Sequence, residues 1–256
     1  MTMKKPEKTI LVYSTIQISW HLLYSCIRRA LEYSRQGSSG FSLEALPNII
    51  LGCSAVEAFC NEMSSIVSTF EYTRDQNSSL EDVVGVTEKA CSQMAAIKTN
   101  AIYSTLERYK KLCSALGLVL PKNYEDLTTL VQVRNGIVHF RACDLRIVNN
   151  EGTITYNHDL PDFYNHLKKK KYRGCDLICK AAEPGEITWI TRISTPAMAL
   201  WAIEVVIGEI LYVLENIPEG ELKQRIMNAY RPSIPDYQTL FHWGQILIDK
   251  GAHIVL

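Results

Sequence analysis

Neither sign of charge is in excess: lysine plus arginine number 27 and aspartate plus glutamate 27 in a chain of 256 residues. With no net field, the molecule as a whole attracts neither nucleic acid nor anionic lipid, and any anion site has to be local. The opening stretch MTMKKPEKTILVYS lacks an apolar run long enough for a secretory signal, and lacks a convincing cleavage site, so the expected compartment is the cytoplasm. The eight cysteines (26, 53, 60, 91, 113, 143, 175 and 179) have no framework spacing. Most fall within helical patterns, where a thiol acts as a small apolar residue, so no disulfide scaffold is expected. Cys175 and Cys179 have no matching second pair, which argues against zinc. His158 and His166 flank Asp159 and Asp162 at irregular loop spacing, so they too are read as chance neighbours rather than metal ligands. Walker and Rossmann glycine spacings are missing, and no cofactor is expected. Internal repeats and low-complexity tracts are missing as well.

A membrane span is nearly present. The run PAMALWAIEVVIGEILYVL at 196–214 approaches the necessary length, but it holds Glu204 and Glu209. Each acidic residue near the middle of a span costs about 2.5–3.5 kcal/mol, so this run reads as a buried helix of a bundle and no membrane is expected as a partner.

What the chain does contain is apolar residues, 47% of the total, against 21% charged, as in an ordinary globular protein with a sizeable core. Ile16, Trp20, Leu23, Ile27 and Leu31 recur at helical spacing and stop in the turn QGSSG. Pro47 opens a second helix whose stripe runs through Ile49, Cys53, Val56, Phe59 or Cys60, Met63 and Ile66, with Gly52, Ala55 and Ala58 small enough for close packing. That helix is expected at the centre. Ser79 and Asp82 suggest a capping box, from which one long helix is expected to reach about Leu116, ended by Gly117 and Pro121. Asn123 begins a shorter helix, with Glu125 and Asp126 where the dipole favours negative charge. Period-two alternation around Asn150, Glu151 and Gly152 predicts a hairpin, and EITWITRIS reads as a further strand. The expected architecture is all-α: an antiparallel helical bundle over 1–217, with a β-hairpin insertion at about 144–156. Residues 218–256 are expected to form a short helical extension packed on the same domain.

One stretch asks for a function. VRNGIVHF sets Arg134, Asn135 and His139 among apolar residues. On a helix Asn135 and His139 share a face, while Arg134 lies roughly 140° from His139. Taken as standing near the start of its helix, the arginine is long enough to fold back towards the histidine or towards a second copy of the chain. Spacing alone leaves two readings open, a solvated charge beside a satisfied polar group, or a catalytic pair.

Arg134-Asn135-Gly136-Ile137-Val138-His139 resembles the signature of the HEPN superfamily, helical bundles in which an arginine followed by a polar residue precedes a histidine by four to six residues. SAVEAFCNE at 54–62 resembles the helix that precedes the motif in that family, and the apolar helix after it resembles the one that closes the bundle. The order of elements is similar over most of 15–216, but only the short motif is specific. The resemblance implies an all-α HEPN-like fold and a metal-independent endoribonuclease. It implies a homodimer with a composite active site, serving as a toxin or an effector of antiviral defence, with a neutralising or activating protein partner. In that reading His139 takes the proton of the ribose 2′-OH, Arg134 holds the scissile phosphate, and Asn135 orients the phosphate or the imidazole. The alternative is a non-catalytic HEPN-like dimerisation, scaffold or nucleotide-binding module. One position departs from the pattern: where toxins of the family that pair with a nucleotidyltransferase carry a modifiable tyrosine, this chain has Arg141, which adds positive charge beside the expected cleft.

Two further groups bear on RNA. Glu57 and Asn61 share a helical face and either support His139 or are boundary residues. Lys168, Lys169, Lys170 and Lys171, with Arg173, form the one dense basic run, which is either a solvated loop or a set of phosphate contacts without sequence readout.

Overall fold

The computed structural model describes residues 19, 21–23, 25–26, 28–29, 45–73, 85–99, 103–139, 145–150, 153–158, 160–172, 174–180 and 188–230. Their architecture is mostly helical, with two small antiparallel ribbons. At its centre is α1, Ala45–Thr73, in which Ile49, Cys53, Val56, Phe59, Cys60, Met63 and Ile66 are all buried. A helix apolar round most of its circumference has to be enclosed by others. The enclosing elements are α2 (Glu88–Thr99), α3 (Thr105–Ala115), α4 (Tyr124–Val138), α7 (Pro196–Asn216) and α8 (Glu221–Tyr230). Gly52 lets α1 and α7 approach closely, since a Cβ there would stand 3.2 Å from Val206 Cγ2. Residues 19–29, where described, are helical and are tied to α1 by Ser19, whose backbone N–H donates to the buried Glu62 carboxylate at 3.0 Å.

The single long helix expected up to Leu116 is two helices. Ser104 breaks it: its hydroxyl accepts from the Glu107 backbone N–H at 3.3 Å and the Glu107 carboxylate accepts from the Ser104 N–H at 2.8 Å, a capping box that starts α3. The Ser104 backbone N–H, and then its hydroxyl, hold the Glu107 carboxyl below its ordinary range. The expected cap at Ser79 lies outside the described residues. At its other end α3 stops in a Schellman motif, with Leu118 N–H on Cys113 O at 2.8 Å, Gly117 N–H on Ser114 O at 3.1 Å, and Gly117 at φ +69°. Within the core the Tyr109 hydroxyl donates to the Glu209 carbonyl at 3.1 Å, crossing from α3 to α7.

After α4 the predicted hairpin is present as β1 (Leu145–Asn150) and β2 (Thr153–His158), antiparallel, with Leu145 opposite His158 and Asn150 opposite Thr153. Next come α5 (Asp162–Lys169) and a second ribbon, β3 (Lys171–Tyr172) with β4 (Cys175–Asp176). The strand expected at EITWITRIS is a short helix, α6 (Trp189–Ile193). Thr188 caps it by accepting from Thr191 N–H at 3.2 Å, and its buried residues, Trp189 and Ile193, are four apart rather than alternating. Thr195 caps α7 by accepting from Met198 N–H at 3.0 Å, with Pro196 at the first helical position. Among the described residues α7 alone is long and apolar enough to cross a membrane, and most of it is buried against other helices. Of the C-terminal extension only α8 lies within the described residues up to Tyr230.

The segment α5–α6 docks onto α4 at both ends. Lys170 pairs with Asp126 in the first turn of α4 and lies 5.7 Å over the Trp201 ring. Near the other end of α4, the ring of Phe163 and that of Trp189 meet edge to face at 5.3 Å. They lie directly over Gly136, where a Cβ would stand 3.1 Å from an atom of each ring.

Candidate functional site

Arg134 stands just before the last turn of α4, not near its start as expected, because the helix runs unbroken from Tyr124 through the motif to Val138. From there its side chain turns towards α1 and α3 rather than towards His139. Nη2 lies 3.5 Å from Glu57 Oε2 and donates to Thr105 Oγ1 at 3.3 Å, while Nη1 donates to Asn135 Oδ1 at 2.9 Å. Thr105 in turn donates to Glu57 Oε2 at 3.2 Å, closing a triangle between three helices. Thr105 is 4% exposed, whereas the Arg134 and Glu57 side chains keep 21% and 38% of their surface. The Cys53 thiol lies beneath. Burial pushes its pKa up to about 12 against the opposing influence of Arg134, so it serves as packing rather than as a nucleophile.

Asn135 and His139 are both exposed, on the outer stripe of α4. The His139 backbone N–H donates to Asn135 O at 2.9 Å, which makes the histidine the C-cap of α4. No hydrogen bond joins Arg134 to His139 among the described residues. The motif therefore offers a fixed cation, an amide and an exposed imidazole along one helix end, with the cation anchored inward and the imidazole facing outward.

Glu57 and Asn61, paired by helical spacing, serve two different arginines. Asn61 Oδ1 accepts from Arg108 Nη1 at 2.8 Å, and Arg108 also donates to Ile97 O at 2.7 Å and Tyr103 O at 3.1 Å. Arg108 is 7% exposed and reaches from α3 to a carbonyl in the last turn of α2, where helical carbonyls call for partners from outside the helix. Neither Thr105 nor Arg108 was singled out from the sequence. The signal that finds them is Ser104-x-x-Glu107, which fixes where α3 begins and so places Thr105 and Arg108 on the face towards α1.

The basic run divides. Lys168, Lys169 and Lys171 are exposed, but Lys170 turns inward to Asp126. Arg141 and Arg173 lie outside the described residues. No three side chains of histidine, cysteine, aspartate and glutamate converge as metal ligands among the described residues. Comparison with known proteins finds no matching family model, no matching curated protein and no matching solved structure.

Proposed function

We propose that the chain is a HEPN-type endoribonuclease that cuts RNA without a metal, acting in the cytoplasm as a toxin or as an effector of antiviral defence. The observation that supports it best is the exposure of Asn135 and His139 beside an arginine whose guanidinium is held on two sides. A motif used only to knit helices together would bury its imidazole. In the reaction His139 accepts the proton of a ribose 2′-OH, and the freed oxygen attacks the neighbouring phosphorus. Arg134 stabilises the charge that builds on the phosphoryl oxygens. The 5′-oxygen leaves and is protonated, giving a 2′,3′-cyclic phosphate and a 5′-hydroxyl. Asn135 keeps Arg134 in register through its Oδ1 contact. Two copies, their motifs facing, would form one cleft, with Lys168, Lys169 and Lys171 available for phosphate contacts that weaken with salt. Such an enzyme needs restraint, which implies a neutralising or activating protein partner.

The rival reading is a non-catalytic HEPN-like dimerisation, scaffold or nucleotide-binding module. It draws on the same triangle, in which Arg134 ties α4 to α1 and α3. The two readings separate on His139→Ala. The imidazole is exposed and makes no side-chain hydrogen bond among the described residues, so stability should change by less than about 0.5 kcal/mol, while cleavage stops. Cleavage of RNA by the wild type with cyclic-phosphate ends, resistant to EDTA, is the expected result. EDTA-sensitive cutting that leaves 3′-hydroxyl ends would overturn the mechanism.

A further inference from the structure

We propose that Thr105 positions Arg134 to receive a phosphate; that this phosphate belongs to RNA rests on the ribonuclease reading. A carboxylate 3.5 Å away attracts a guanidinium but does little to fix its plane, because a charge pair at that distance is weakly directional. A hydroxyl is directional. Thr105 has one proton and gives it to Glu57 Oε2 at 3.2 Å, which turns its lone pairs to Arg134 Nη2 at 3.3 Å. Asn135 Oδ1 holds Nη1 at 2.9 Å, so both terminal nitrogens have a fixed partner. A guanidinium carries five N–H donors, more than these contacts and its hydrogen bond with the buried Cys53 thiol use, and the Arg134 side chain keeps 21% of its surface open to an incoming anion. Thr105 is almost wholly buried at the first position of α3, so water does not replace its hydroxyl when that is removed. The capping box at Ser104 and the grip of Arg108 on Asn61 fix this end of α3 against α1. A motif on α4 thus takes its geometry from a residue on α3.

The test uses the full chain with 15N-labelled arginine. The side-chain signals of Arg134, assigned by Arg134→Lys, are followed in the wild type and in Thr105→Val, Thr105→Ser and Thr105→Ala as inorganic phosphate is added. In the wild type the Arg134 signals are expected to shift saturably. Loss of the hydroxyl in the valine variant should weaken phosphate binding about tenfold and free the Nη groups to rotate, with serine restoring wild-type behaviour. If the valine variant does not fold, the alanine and serine variants carry the same contrast. An unresponsive wild-type Arg134, or equal phosphate affinity with and without the hydroxyl, overturns the proposal. Cleavage of RNA is measured on the same samples, with kcat/KM expected to fall in Thr105→Val and recover in Thr105→Ser. If the hydroxyl governs phosphate binding but the wild type cuts no RNA, the assignment of Thr105 stands and the ribonuclease reading falls.

Discussion

Gly136→Ala sets two opposing effects against each other at the centre of the motif. Replacing glycine by alanine inside a helix stabilises by up to about 1 kcal/mol, through backbone entropy that the unfolded chain no longer has to lose. Gly136 is in the last turn of α4, so only part of that gain applies. Against it stands crowding: the new Cβ would lie 3.1 Å from Phe163 Cζ, 3.1 Å from Trp189 Cη2 and 3.2 Å from Phe163 Cε1. Ordinary carbon contacts lie at about 3.5–4.0 Å, so both rings have to retreat by several tenths of an ångström. They cannot do so independently, because each is wedged against the other at 5.3 Å and both are buried, at 9% and 3% exposure. Overpacking of this kind costs about 1–3 kcal/mol. Crowding wins, and the net expectation is a loss of about 1 kcal/mol, or about 2–4 °C in Tm for a chain of this size. The internal standard is Gly208 on α7, exposed and with nothing within 4 Å of its added Cβ. Gly208→Ala should stabilise by up to about 1 kcal/mol, giving the propensity gain with no crowding. Thermal and urea unfolding of the two variants measure the difference. If Gly136→Ala raises Tm as Gly208→Ala does, the rings yield freely and the docking of α5 and α6 onto the motif helix is loose.

Arg108→Met keeps much of the side-chain volume but removes donors from the carbonyls of Ile97 and Tyr103 and from Asn61. A loss of about 3–5 kcal/mol, read as a fall in Tm of roughly 10 °C, is expected, and a change below about 1 kcal/mol would refute the role of Arg108 as the clamp on the α2–α3 break. Glu209, 1% exposed, has its pKa raised by burial, an effect the Tyr109 hydrogen bond opposes. A group raised in the folded state contributes stability that is fully present below its unfolded pKa and lost as pH rises through its folded one. Glu209→Gln, which stays neutral, should therefore gain Tm relative to the wild type more at about pH 8 than at about pH 5. An identical difference at both pH values would show that the carboxylate is ionised throughout.

The bundle was legible in the sequence wherever a stripe was long: α1 and α7 follow from their apolar positions, and the hairpin from strict alternation around Asn150 and Gly152. Two local signals were weaker than the patterns around them. The apolar positions before and after Ser104 continue one another, so periodicity alone runs straight through a break made by a side chain and a backbone amide. In EITWITRIS the β-branched residues favour a strand, yet Thr188 as a cap and the burial of Trp189 and Ile193 one turn apart win as a helix. Of the site, the motif residues were readable because they are adjacent in sequence. Thr105 was not, since its contacts with Arg134 and Glu57 join positions 29 and 48 residues apart, a distance over which spacing carries no information.

The ribbon of β1 and β2 is paired along its whole length, from Leu145 opposite His158 at its base to Asn150 opposite Thr153 at its tip. Strands paired in this way hold their ends about 5 Å apart whatever lies between them. A closed pair of that kind tolerates a longer, shorter or different tip, because the separation of its two ends is set by the Leu145–His158 pair and not by what lies beyond it.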